Sequence, residues 1–194
     1  IADNVEEELR QGKMIIHIAE QQGIEYIVYS TAGGVNRDRT GPHFEALADI
    51  ENELKNSSLN YTIIKPSFFM DNFLRITKVE DGEIVIPEFI DRDVKLAMIS
   101  SIDIARIAAN IFMNTIKFNH QAIEIASDEL TLNEVVKTFA KVTGKPTEIK
   151  GSFSSGTAER GWLEEKGYII DFKQMDDINP HRLTLEQWIN KVGF

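Results

Sequence analysis

The chain has 194 residues, 42% of them hydrophobic, no cysteine, and a net charge of −10 from 21 Lys and Arg against 31 Asp and Glu. That is enough chain for one domain with a proper core, or one with a small annex, and too apolar for wholesale disorder. The acidic balance argues against nonspecific binding to nucleic acid. Without cysteine there are no disulfides, thiolate nucleophiles, Cys-ligated zinc or iron–sulfur clusters, and no apolar run approaches the ~20 residues that span a bilayer. A cytoplasmic protein without membrane contact is the expectation. The sequence opens on Ile1, not Met, and has no secretory leader, so an upstream segment is expected.

Asp3 or Asn4 is placed to cap a helix running to about Gln22, with Val5, Leu9, Ile16 and Ala19 on its apolar face. Gly23 stops it. Tyr26 to Ser30 reads as a strand buried on both faces, as in a parallel sheet. Thr31 to Pro42 is a polar loop with three glycines, and Phe44, Leu47, Ile50 and Leu54 mark a second helix. Tyr61 to Lys65 is a second buried strand, stopped by Pro66. Helix, strand, helix, strand with short connections is half of a doubly wound sheet.

The grain then changes. Phe69 to Lys78 reads as helix, Asp81-Gly82 as a tight turn into a strand at Glu83 to Ile86, and Val94 to Ile99 as another strand. Ser101 to Asn114 is predicted helical, Ala122 to Ile125 a strand, and Thr131 with Glu134 a capping box opening a helix through Val142. Thr147 to Lys150 is a short strand. A helix around Trp162 and another opened by Thr184 with Gln187 complete the tail. The predicted architecture is α/β: residues 1–70 form the later part of a Rossmann-like domain, and 71–194 are mainly a mixed substrate or partner subdomain with some segments returning to the main sheet.

Residues just past the carboxyl end of a parallel strand face the ligand crevice. Ser30, Thr31 and Ala32, followed by Gly33-Gly34, hold that place after the first strand. Alone, such a stretch more often caps a loop. Pro66, Ser67 and Phe68 hold it after the second strand, with Phe69, Met70, Asn72 and Phe73 beyond; alone, these aromatics are more often core than pocket. No G-x-G-x-x-G, P-loop or G-x-S-x-G motif occurs. His17, His120 and His181 are isolated, and no metal site is expected. Carboxylate runs such as Glu6-Glu7-Glu8 read as solvated faces or caps, and Asp103 as a helix-start residue.

Taken in order, Ile27-Val28-Tyr29-Ser30, Pro42-His43-Phe44 with Ile50-Glu51, Thr62-Ile63-Ile64-Lys65-Pro66, Phe69-Met70-x-Asn72-Phe73, Ser101-Ile102-Asp103-Ile104-Ala105 and Leu185-Glu186-Gln187-Trp188-Ile189 resemble the NmrA-like family, atypical members of the short-chain dehydrogenase/reductase superfamily. The resemblance implies a fold that binds NAD(P)(H) with its first half and a small molecule or a protein partner with its second. It assigns Ser30, Thr31, Ala32, Pro66, Ser67 and Phe68 to the cofactor, and His43, Phe44, Phe69, Met70, Asn72 and Phe73 to a substrate pocket. The family's first strand and glycine-rich loop precede the point where this sequence begins, so its pyrophosphate contacts are not in these residues.

Catalytic members of the superfamily use Ser with Tyr-x-x-x-Lys. Ser30 matches the serine position, His43 stands at the tyrosine position, and Leu47 at the lysine position. Leucine has neither charge nor donor, whereas His43 has the chemistry of a proton shuttle. The resemblance therefore implies a redox-sensing or regulatory nucleotide-binding protein. The alternative is an NAD(P)H-dependent reductase or epimerase-type enzyme acting on a quinone, carbonyl or sugar nucleotide through Ser30 and His43. A parallel sheet cut at its middle also exposes an edge, which an upstream segment, a second chain or a second copy is expected to cover.

Overall fold

The computed structural model describes residues 4–37, 41–152 and 157–194, with the side chains of 157–159 left aside. Asp3, one of the two expected caps, lies outside the described residues. The chain divides into two compact units, residues 1–66 with 107–124, and residues 67–106 with 125–194. The first break between them follows Pro66.

The first unit opens with α1 (Val5–Gln21), capped by Asn4, whose side chain accepts from Glu7 N–H at 2.7 Å. Gly23, at φ +65°, takes the left-handed turn that ends it. Strand β1 (Tyr26–Ser30), helix α2 (Pro42–Asn56) and strand β2 (Asn60–Pro66) follow. In the second unit come β3 (Phe68–Phe69), a 3-10 turn (Met70–Asn72), α3 (Phe73–Ile76), β4 (Lys78–Glu80), β5 (Glu83–Glu88) and β6 (Lys95–Ile99). Helix α4 (Ser101–Met113) carries the chain back to α5 (Thr115–Phe118) and β7 (Gln121–Ile125). The second unit resumes with β8 (Asp128–Thr131), α6 (Leu132–Thr143), β9 (Thr147–Ser152), α7 (Thr157–Glu165), α8 (Phe172–Ile178) and α9 (Leu185–Val192).

The first unit's sheet has the order β1-β2-β7. β1 and β2 run parallel, from Tyr26 opposite Asn60 to Ser30 opposite Ile64. β2 is central and buried along almost its whole length. β1 is expected to be buried on both faces, but it is half-buried, because it is the outer strand of the described sheet. Ile15 (60% exposed) and Ile18 (48%) on α1 and Ile116 (96%) on α5 leave this unit with uncovered apolar surface. Where α1 meets α2, Gly12 matters through what it lacks: a Cβ there would stand 2.5 Å from Ile50 Cδ1.

In the second unit, β3-β6-β8 and β4-β5-β9 form two small sheets. Asp81 (φ +50°) and Gly82 (φ +85°) make the tight turn between antiparallel β4 and β5. The segment expected as helix over 69–78 is broken. Phe68 and Phe69 pair in parallel with Met98 and Ile99 of β6, and only a 3-10 turn and one α-helical turn follow. Pairing with a partner distant in sequence overrides local propensity here. Strands β4 and β8, the latter antiparallel to β6, and the short helices α5 and α8 have no counterpart in the sequence pattern. Both expected capping boxes form, at Thr131/Glu134 and at Thr184/Gln187. Among the described residues no helix is long and apolar enough to cross a membrane.

Candidate functional site

Because β1 and β2 are parallel and in register, their carboxyl ends lie side by side, and the loop after β1 leaves from that edge. Ser30 is exposed there. The loop keeps company with β2: Thr31 N–H donates to Ile64 C=O at 3.0 Å, and Gly33 N–H to Pro66 C=O at 2.8 Å. These bonds set the start of the loop alongside the end of β2. Gly33, Gly34 and Val35 are buried, and Gly34 (φ +81°) and Asn36 (φ +67°) are left-handed.

A polar network stands beneath this loop. Glu51, on the inward face of α2, is 0% exposed, and Lys65 on β2 donates to its Oε2 at 2.9 Å. The same oxygen accepts from Asn36 Nδ2 at 2.8 Å and Lys55 Nζ at 3.2 Å, while Oε1 is buried without a hydrogen-bond partner. Lys65 Nζ also donates to Val35 C=O at 3.3 Å. From β7, Glu124 accepts from Gly34 N–H at 3.0 Å and takes the Arg37 guanidinium on both oxygens, at 2.9 and 3.0 Å. Sequence reasoning missed this network. Its signals were a carboxylate inside the Leu47–Ile50–Leu54 stripe and a lysine inside an apolar strand.

His43 sits in the first turn of α2, half exposed, with Nδ1 at 2.9 Å from Glu8 Oε2 and its ring edge-on to half-buried Phe44. Glu8 therefore has a defined partner, unlike a merely solvated charge. Leu47 is buried in the apolar face of α2. Burial pushes the Tyr29 hydroxyl up to about 12, and the charges of Glu51 and Glu8 add to the effect. The phenol is accordingly neutral at physiological pH.

In the second unit, Ser67 is buried. Its N–H donates to Ile125 C=O at 3.0 Å, and its hydroxyl is buried with no partner. Phe68, half-buried, stacks on Phe89 at 5.1 Å. Of the residues assigned to a substrate pocket, Phe69 is exposed and Asn72 half-buried. Met70 and Phe73 are both 0% exposed and lie in the apolar core, where Phe73 meets Phe139 at 5.5 Å and Trp188 at 6.4 Å. One turn of 3-10 helix rotates them inward where a continuous helix was expected.

Asp103 is a buried anchor in the same unit. Its carboxylate accepts from Ser100 Oγ, Ser127 Oγ, Asn179 Nδ2, Arg106 Nη1 and Leu183 N–H at 2.7–3.2 Å. Burial pushes its pKa up, but the donors from Leu183, Ser127, Asn179 and Ser100 outweigh that and hold it below the usual carboxylate range. Among the described residues no group of three or more His, Asp or Glu could hold a metal ion.

Comparison with known proteins fits this architecture. The profile of the NmrA-like family matches residues 1–152. An agroclavine dehydrogenase of Claviceps purpurea is 30% identical over 172 residues, 79% of this chain and 54% of that protein. The chain spans about half the length of the curated relatives it matches. Among solved structures, the negative transcriptional regulator NmrA in complex with NADP superposes with TM-score 0.75 at 16% identity, over 95% of this chain and 69% of that one. An NADPH-dependent quinone oxidoreductase of Escherichia coli, complexed with NADPH, does so with TM-score 0.78 at 19% identity, over 98% and 74%.

Proposed function

Because the chain belongs to the NmrA-like family, we propose that it is part of a cytoplasmic NAD(P)(H)-binding protein of the regulatory kind, one that reads the dinucleotide without turning it over. The observation that carries this reading is at α2. The place of the superfamily's lysine is taken by buried Leu47, and His43, in the tyrosine's place, is held by the carboxylate of Glu8. A carboxylate does not do the work of a lysine, which lowers the acid's pKa and holds the ribose.

The residues past β1 in the first unit suit the nicotinamide end of the dinucleotide and not its pyrophosphate. In the first unit, Ser30 offers an exposed hydroxyl at a strand's carboxyl end, beside Thr31, Ala32 and Pro66. In the second, Ser67 has a buried hydroxyl without a partner and adjoins Phe68. A buried hydroxyl without a partner is costly unless something polar meets it. Phe69 and Asn72 in the second unit, and His43 and Phe44 in the first, are the candidates to meet a small molecule or a protein partner. In this reading the residues of this chain would bind and orient the dinucleotide; a hydride would move to or from it only in the reductase reading below. We also propose that further polypeptide of the same protein covers the outer edge of β1, since the relatives are longer and Ile15, Ile18 and Ile116 are otherwise bare.

Titrating NADPH and NAD into the full-length protein while following nicotinamide fluorescence tests the reading. Saturable binding with no cofactor oxidation across a panel of quinones and aldehydes is expected. The second reading, an NAD(P)H-dependent reductase, is favoured by the His43–Glu8 contact, which orients an imidazole as general acid–base catalysis requires. Turnover that is lost in Ser30→Ala or His43→Gln would establish that reading and defeat the first. No nucleotide binding would defeat both.

A further inference from the structure

Thr31 and Gly33 are tied to the backbone of β2, but the next part of the loop, residues 34–37, is held by side chains from elsewhere in the first unit. Four consecutive residues are held one by one: Gly34 and Arg37 by Glu124 of β7, Asn36 by Glu51 of α2, and Val35 by Lys65 of β2. Lys65 is in turn fixed by Glu51. A fully buried carboxylate is a poor way to gain stability, because desolvation offsets most of the attraction to its partner. Glu51 also leaves one oxygen unbonded. Such a pair is better explained by the geometry it imposes. Two of its contacts, Asn36 Nδ2 and Val35 C=O, fall on the loop, so the geometry it imposes is the loop's.

We propose that Glu51 and Glu124 are positioning residues for the nicotinamide end of the dinucleotide. By fixing residues 34–37 they hold Ser30, Thr31 and Ala32 in the conformation that receives the ligand. The proposal rests on the dinucleotide reading above. Neither carboxylate touches the ligand; each acts through the loop. The alternative, an ion pair that merely joins α2 to β2, predicts effects on stability alone.

The test uses the full-length protein with NADPH as the probe. The variants are Glu51→Gln, Glu124→Gln and Asn36→Gly, the last keeping the left-handed backbone while removing only the loop's amide. Hydrogen exchange of residues 31–37, the dissociation constant for NADPH, the emission enhancement of bound NADPH and the melting temperature are measured together. In each variant the loop amides are expected to exchange about ten-fold faster, and NADPH to bind about ten-fold more weakly with a smaller emission enhancement. Asn36→Gly is expected to keep the wild-type melting temperature, and Glu129→Gln, at a half-buried residue of β8 in the second unit, to leave loop exchange and NADPH binding unchanged. Should Glu51→Gln fail to fold, Asn36→Gly decides. Wild-type loop exchange in Asn36→Gly and Glu124→Gln, or wild-type NADPH affinity once the loop is released, overturns the proposal. If the wild type itself binds no NADPH, the dinucleotide reading falls instead.

Discussion

The two units hold themselves together by different means. The second packs Phe68, Phe73, Phe89, Phe139, Trp188 and Phe194 against one another, ring to ring, and keeps its main buried charge, Asp103, fully hydrogen-bonded. The first has a thinner aliphatic core around Ile16, Ile50, Leu54 and Ile63, β1 as the outer strand of its described sheet, and a buried carboxylate with one oxygen bare. One unit is organised for stability. The other gives up stability to hold a loop, and that loop stands where doubly wound folds receive their ligands. Strain and imperfectly paired groups concentrate at such places because geometry there is worth more than energy.

Replacing a core ring should separate the units most sharply. Phe73→Ala removes a fully buried ring with aromatic neighbours on several sides, and about 4 kcal/mol of stability should go with it. Denaturant melts of the variant should show the loss, and hydrogen exchange should place it in the second unit. A loss shared equally by β1 and β2 would mean the two units unfold as one.

The first unit's ion pair should respond in the opposite style. Lys65→Met leaves Glu51 buried without its principal counter-charge and should cost about 3 kcal/mol. Lys65→Met with Glu51→Leu should recover most of that loss, because two apolar groups replace two desolvated charges. The double variant should nevertheless leave the loop amides of 31–37 unprotected. Recovery of both stability and loop protection would mean the charges serve neither purpose.

Asp103 places the same question in the second unit. Its folded pKa lies below its unfolded value of about 4. The stability it contributes is therefore complete above that value and drains away as the pH falls toward the folded pKa. Asp103→Asn should cost about 2 kcal/mol at neutral pH, with the difference from wild type shrinking below about pH 4. A gap that stays constant down the acid limb would show that shape, not charge, is what the five donors recognise.

Much of this was legible beforehand, for reasons particular residues make plain. Asn4, Thr131 and Thr184 mark helix starts because a cap is a local interaction three residues long. Asp81-Gly82 marks its turn because left-handed backbone favours those residues. What escaped is nonlocal. Phe69 and Phe73 have the composition of a helix or a pocket, and only pairing of β3 with β6, more than twenty residues on, turns one outward and the other into the core. Glu8 reads as one member of a solvated acidic run in the sequence, and only the packing of α1 against α2 brings His43 to it. At the candidate site, the pairing of Ser30 with Ile64 and the placing of Thr31 at the end of β1 follow from strand order. The carboxylates beneath the loop come from positions 51 and 124, and no spacing rule joins those.

The smallest effect is also the finest probe of the contrast. Asn4→Ala in the first unit and Thr184→Ala in the second each remove one side-chain acceptor from a helix N-terminus, and each should cost about 1 kcal/mol. The consequences should differ in reach. α9 is only eight residues long and carries Leu185, Trp188 and Ile189 into the aromatic core, so fraying its first turn loosens Trp188 and the rings against it. α1 has seventeen residues, and its buried contacts at Ile16 and Ala19 lie far from its cap. Tryptophan emission should therefore shift in Thr184→Ala before the main transition, whereas Asn4→Ala should fray α1 alone and leave the spectrum unchanged. Equal spectral responses would mean that the caps report on the whole chain, and that the two units share their stability after all.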